Sequence, residues 1–316
     1  MAAERPTLTD RQGAWLRDRF GAAVRFAVPM ARHTSLGVGG PAEAFVRPAD
    51  EQALGRLLRF ARDEGIPWSA VGDGTNLLVA DAGVPGIVIG LTRGFAEFSV
   101  AADGPEVRVA AGAGLRTRSF CRRAAERGLD DLLRSAGIPG TLGGALAVNA
   151  GNQCGALGDR LERLRVVDVD GKTREILRRE LTLAYRRAHW PGAESSVIVG
   201  AVFRSRVHPD GPVAVLARAE ALKAERWEKQ PRGVRSAGCF FRNPPSGPPA
   251  GALIDRAGLK GAAAGGAHVS RRHANFIVTR PGAAAADVHA LADRVRDAVI
   301  RRFGVRLEPE VRTLGA

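Results

Sequence analysis

Two glycine-rich segments constrain this 316-residue chain more than any other feature: Val71-Gly-Asp-Gly-Thr-Asn-Leu-Leu78 and Gly137-Ile-Pro-Gly-Thr-Leu-Gly-Gly-Ala-Leu-Ala-Val-Asn-Ala-Gly151. Glycine admits positive φ and lets backbone N–H groups come close to a ligand, so such loops can cradle phosphates without side-chain charge. They also serve as tight turns where backbone packs on backbone, and each segment taken alone leaves both readings open. Neither has the G-x-G-x-x-G spacing at a strand-to-helix turn, nor the Walker pattern with its lysine. An ordinary dinucleotide-first fold and an ATP-binding loop are therefore disfavoured.

Periodicity places these segments in an α+β chain. Leu54, Leu57, Leu58 and Ala61 recur at helical spacing over 50–64, where Asp50 can cap and Gly65 can stop the helix. Short branched apolar runs at 77–79, 86–91 and 107–110 read as strands, and a second helix is expected over about 115–127. The runs 164–169 and 173–176 flank Asp170-Gly171, a hairpin signal. Another apolar strand, 197–203, precedes the turn-forming His208-Pro-Asp-Gly211, which suggests a boundary near residue 207. Beyond it, 212–228 and 285–303 read as helices, the latter with Val288, Leu291, Ala292, Val295 and Val299 on one stripe before Gly304.

Composition narrows the partners. The 47 Lys and Arg against 33 Asp and Glu give a formal charge of +14, which suits nucleic acid, an anionic membrane surface or a phosphorylated ligand. Basic residues are interleaved with acids rather than gathered in a tail, and a base-stacking platform is not evident, so no nucleic-acid partner is expected. No apolar run approaches the roughly 20 residues that span a bilayer, and Met1–Asp10 lacks a signal-peptide pattern, so a soluble, unprocessed chain is expected. Cys121, Cys154 and Cys239 are odd in number and widely spaced, which fits a reducing cytoplasm rather than a disulfide framework or thiolate zinc site. His268 and His273 are the nearest approach to a metal pattern, and no metal is expected.

The motifs become specific in combination. His33-Thr-Ser-Leu-Gly-Val-Gly-Gly40, Gly72-Asp-Gly-Thr-Asn-Leu-Leu-Val79, Gly137-Ile-Pro-Gly-Thr-Leu-Gly-Gly144, Tyr185-Arg186, Ser236-Ala-Gly-Cys-Phe-Phe-Arg-Asn-Pro244, Gly258-Leu-Lys-Gly261 and Leu307-Glu-Pro-Glu-Val-Arg312 occur in that order. From about residue 30 onward the chain resembles the UDP-N-acetylenolpyruvoylglucosamine reductase family, in its shorter class without an extra Tyr-bearing loop. The resemblance implies a vanillyl-alcohol-oxidase-type FAD-binding module of two α+β subdomains and a smaller α+β C-terminal substrate domain. On that reading residues 1–28 are an N-terminal segment, 29–207 bind FAD with a subdomain split near 100, and 208–316 bind substrate.

The resemblance further implies an NADPH-dependent, FAD-mediated reduction of an enolpyruvyl ether on UDP-N-acetylglucosamine to UDP-N-acetylmuramate, for peptidoglycan synthesis, in a cytoplasmic enzyme expected to be monomeric. Flavin N5 would deliver hydride, and the protein would supply orientation, charge and a proton. The matched catalytic positions are Arg186, Cys239 and Glu310. Arg186 suits a carboxylate gaining electron density, and Glu310 would polarise the same intermediate. Cys239 stands where most relatives carry Ser, as proton donor; a thiol is mostly protonated at neutral pH yet more acidic than a hydroxyl. The expected cofactor set is Gly72, Gly74, Thr75, Asn76, Leu77, Ile138, Pro139, Gly140, Thr141, Gly143 and Gly144. Tyr185, Arg226, Asn243, Lys260 and His273 are the expected substrate contacts. Gly151-Asn-Gln-Cys154, Leu133-Arg134 and Ala188 depart from the family's usual residues. Another FAD oxidoreductase of the same fold, or a catalytically silent binding protein, remains an alternative at this level.

Overall fold

A computed structural model describes residues 8–91 and 94–315. Seven α-helices lie among them: α1 (Asp10–Phe20), α2 (Glu51–Asp63), α3 (Thr117–Ala125), α4 (Leu142–Ala147), α5 (Gly211–Lys229), α6 (Ala250–Arg256) and α7 (Ala285–Phe303). The mixture of helices with mostly antiparallel sheets agrees with the α+β expectation.

The first sheet has four strands in the order Val24–Pro29, Pro41–Val46, Val84–Gly90 and Trp68–Val71. Its last two pairings are parallel. Helix α2 covers it through Leu54, Leu57, Leu58 and Ala61, all buried, and Asp50 caps that helix by accepting the Ala53 N–H at 2.7 Å. Burial of those four side chains, at about 25 cal/mol per Å² of apolar surface, is what makes the amphipathic stripe hold.

The second sheet is antiparallel throughout, with five strands ordered Thr173–Leu177, Leu161–Asp168, Ser196–Ser205, Glu106–Gly112 and Phe98–Asp103. Its core includes Phe120, Phe203, Leu132 and Leu133. Helix α5, which follows the expected boundary near residue 207, packs on this core through Val215. The second glycine-rich segment is not loop throughout: α4 forms inside it, with Thr141 Oγ1 accepting the Gly144 N–H at 3.4 Å as an N-cap. Glycines and alanines without apolar periodicity hide such a short helix from a pattern search.

The third sheet orders Arg235–Cys239, Phe276–Thr279, Ala267–Val269 and Ala263–Ala264, all antiparallel, beneath α6 and α7. The stripe of α7 read from sequence lies fully in this core, and Gly304 ends the helix at φ +68°. The chain then returns: Arg312–Leu314 pairs in parallel with Leu77–Val79, at the end of the first glycine-rich segment.

Candidate active site

The two glycine-rich segments meet. Thr75 Oγ1 donates to the Pro139 carbonyl at 3.3 Å, and a Cβ on Gly72 would fall 2.1 Å from Thr141 Oγ1. Gly74, at φ +64°, passes so close to His33 that a Cβ would meet its carbonyl oxygen at 1.9 Å. Close backbone packing thus explains part of the glycine content. It does not explain the donors: none of the N–H groups of Asp73, Gly74, Thr75, Asn76, Gly140 or Thr141 donates to a backbone carbonyl among the described residues, although Gly74 is buried. Backbone donors without a carbonyl acceptor on two loops in contact leave room for an anionic acceptor, and a dinucleotide diphosphate is one that fits. These residues fit FAD. Of the remaining expected cofactor residues, Ile138 packs on the second core, Gly143 lies against Ala113, and Leu77 begins the strand that pairs with Arg312–Leu314.

The third sheet meets the first glycine-rich segment beside these loops. Strand Arg235–Cys239 ends at a bulge that includes Gly238, and the following residues pair with the C-terminal stretch: Glu310 N donates to Phe240 O and Arg242 N to Glu308 O, each at 2.8 Å. This ladder places Cys239 and Glu310 in one neighbourhood. Asn275 fixes it from behind, accepting the Phe241 N–H at 2.9 Å and donating to its carbonyl at 2.8 Å. Arg186 arrives from the second sheet's side, at the tip of the hairpin formed by Thr182–Ala184 and Arg187–His189, with φ +55°. Its Nε lies 3.0 Å from Glu310 Oε1 without hydrogen-bonding alignment, both side chains being about four-fifths buried, at 22% and 16% exposure.

Burial raises the pKa of Glu310 despite the nearby charges of Arg186, Arg242 and Arg226. Burial also pushes the Cys239 thiol up to about 11; the Glu310 charge adds to this, and Arg226 and Arg186 oppose it. Arg226 is itself lowered by burial, with the Arg186 charge acting in the same direction. The Nε atoms of Arg186, Arg226 and Arg242 are buried without a hydrogen-bond partner among the described residues. Beyond the Arg186–Glu310 ion pair, the buried Nε donors of Arg226 and Arg242 near the same carboxylate suit an anionic ligand.

A cavity of about 680 Å³ opens beside this group, lined among others by Tyr185, Arg186, Arg226, Lys229 and His273. Tyr185 is 60% exposed, and Asn243 Nδ2 reaches its hydroxyl at 3.5 Å while Asn243 Oδ1 accepts the Ala250 N–H that opens α6. Lys260 is paired with Asp255 at 2.6 Å rather than free for a phosphate. His273 is lowered mainly by burial, with the charges of Lys260 and Arg226 contributing, which puts all three in one electrostatic neighbourhood. Sequence reasoning missed Arg242 and Asn275, although Arg242 lies inside the matched Ser236–Pro244 segment.

Comparison with known proteins gives the family. An FAD binding domain family matches residues 42–177, and the UDP-N-acetylenolpyruvoylglucosamine reductase C-terminal domain matches residues 230–314. A UDP-N-acetylenolpyruvoylglucosamine reductase of Desulfosudis oleivorans is 43% identical over 95% of this chain and 97% of its own length. The chain belongs to the UDP-N-acetylenolpyruvoylglucosamine reductase family. The Geobacter metallireducens member is 44% identical over 98% of this chain and 99% of its own. The crystal structure of the Thermus caldophilus reductase superposes with a TM-score of 0.76 at 34% identity, covering 92% of this chain and 98% of that one. As a member of this reductase family the protein is an FAD-binding oxidoreductase with a reductase-type C-terminal domain, as the motif order implied.

Proposed function

We propose that this reductase carries out the NADPH-dependent reduction of the enolpyruvyl ether on UDP-N-acetylglucosamine, with Arg186, Cys239 and Glu310 as its catalytic residues. The observation that carries the reading is the meeting of the Arg186–Glu310 ion pair with Cys239 beside the two facing glycine-rich loops. Bound FAD would supply the hydride relay from NADPH to the unsaturated ether. The N–H groups of the two glycine-rich loops would hold its diphosphate. Arg186 would face the substrate carboxylate as negative charge builds there, and the unpaired donors of Arg226 and Arg242 support an anionic substrate. Glu310, raised by burial yet paired with Arg186, would polarise the same intermediate. Cys239, held protonated, would deliver its proton to the carbon beside the carboxylate. Tyr185, Arg226, Asn243, Lys260 and His273 would contact the UDP-sugar, with Lys260 first released from Asp255.

Among the described residues no helix is long and apolar enough to cross a membrane. A cytoplasmic monomer serving peptidoglycan precursor synthesis is the setting that we propose, since nucleotide sugars and NADPH are found there.

The test follows NADPH oxidation with and without the enolpyruvyl UDP-sugar in the wild type, Cys239→Ser and Cys239→Ala. We expect the Ser variant to stay within about tenfold of wild type and the Ala variant to lose about 10²- to 10⁴-fold, the usual worth of a positioned acid. Full activity in Cys239→Ala would remove the thiol from the mechanism. Bound flavin without substrate-dependent turnover in the wild type would favour another oxidoreductase or a silent binder.

A further inference from the structure

One polar side chain outside the groups assigned so far reaches the hairpin that bears Arg186. Asn149 lies near the end of the second glycine-rich segment, is 8% exposed, and takes a left-handed φ of +43°. Its Nδ2 donates to the Ala184 carbonyl at 3.1 Å, and its Oδ1 accepts the Gly158 N–H at 3.0 Å. Ala184 pairs with Arg187, so this bond grips the base of the two-residue turn Tyr185-Arg186. Two residues further along the same segment, the Gly151 carbonyl accepts from Arg186 Nη1 at 3.4 Å.

The hairpin needs such a grip. Its two strands form a sheet of their own, and Leu183 and Ala188 seat one face on the second core. Apolar contacts fix where the hairpin lies but are non-directional, whereas hydrogen bonds set the direction of its tip. Arg186 also holds a backbone conformation that L-residues rarely adopt, so its turn has a ready way to relax. The first glycine-rich segment treats the other half of the ion pair alike: Asn76 Nδ2 donates to the Glu310 carbonyl at 3.2 Å, and the Asn76 carbonyl accepts the Arg312 N–H at 3.1 Å.

We propose that Asn149 is a positioning residue that aims Arg186 at Glu310, as the counterpart of Asn76 on the Glu310 side. Each cofactor loop thereby holds one member of the ion pair, and the pair keeps its register with the bound cofactor. This inference rests on the catalytic reading of Arg186 given above.

Two substitutions separate the amide from the backbone. Asn149→Asp keeps left-handed tolerance and an acceptor for Gly158, but sets an oxygen against the Ala184 carbonyl. Asn149→Gly keeps the backbone and removes both bonds. Each is compared with Arg186→Ala in the FAD-loaded full chain by kcat and KM, by bound flavin, and by amide exchange of hairpin residues 182–189. Both Asn149 variants should retain flavin and exchange faster in the hairpin. Their kcat should fall about 10- to 100-fold, more than KM changes, as expected when a reacting group is misplaced by about 1 Å. A kcat within about twofold of wild type in both variants, with Arg186→Ala inactive, would overturn the proposal. Flavin lost in step with activity would also overturn it, by making Asn149 a cofactor-retention residue. Normal turnover in Arg186→Ala would instead overturn the reading beneath it, while the exchange data would still show whether Asn149 holds the turn.

Discussion

Burial and the Glu310 charge keep the Cys239 thiol protonated up to about 11, against the pull of Arg226 and Arg186. The sign follows: below that value the proton is present to be donated, and the reactive thiolate is scarce. Alkylation depends on the thiolate, so inactivation by iodoacetamide should accelerate about tenfold per pH unit between about pH 7 and about pH 10. Cys239→Ser should resist it. A rate that levels off near neutral pH would mean that the two arginines outweigh burial, leaving a thiol poised for oxidation rather than proton donation. The place of Cys239 in the Ser236–Pro244 motif was legible in the sequence. The upward shift of its pKa was not, because burial and the charges of residues 186, 226 and 310 come together only in the fold.

At the scale of elements, the contact between the glycine-rich loops is a matter of a single missing carbon. A Cβ on Gly72 would meet Thr141 Oγ1 at 2.1 Å and the Thr141 Cβ and Cγ2 at 3.1 Å. Gly72→Ala should therefore push the loops apart and lower flavin content in the purified protein, measured by absorbance against protein concentration. Thr141→Ala in the same chain should recover part of it, because the nearest clash is with the hydroxyl, at the cost of about 1 kcal/mol for the lost cap of α4. Unchanged flavin content in Gly72→Ala would mean that the loops do not hold the cofactor in this register. Long amphipathic helices such as α2 and α7 were readable because several buried positions repeat at one period. The Arg186 hairpin was not. Its strands are three residues each, and Tyr185-Arg186 lacks the Asn-Gly or Gly signal that a two-residue turn ordinarily shows. What holds that turn is the Asn149 amide, 35 residues distant in sequence.

Across the whole molecule, the C-terminal strand closes a circuit. Glu310 sits at the end of the ladder with Phe240, and within two residues the chain pairs with Leu77–Val79 beside the cofactor loop. The Ala80 N–H donates to the Leu314 carbonyl at 2.9 Å, and Leu314 packs with Ala42, Phe45, Val84 and Val88 of the first sheet. Ending the chain at Val311 would keep Glu310 but remove this strand. Losing a half-buried Leu and its few ladder bonds should cost about 3 kcal/mol, enough to lower Tm by roughly 5 °C. The same truncation frees Asn76 from Arg312 and should weaken flavin retention. Glu310→Gln, which leaves the strand in place, should lose turnover while keeping both Tm and flavin. The two variants together separate the strand's mechanical part from the carboxyl's chemical part. Equal Tm and equal flavin content in the truncated chain and the wild type would show that the circuit contributes nothing, and that the Phe240 ladder and the Asn76 amide suffice to hold Glu310.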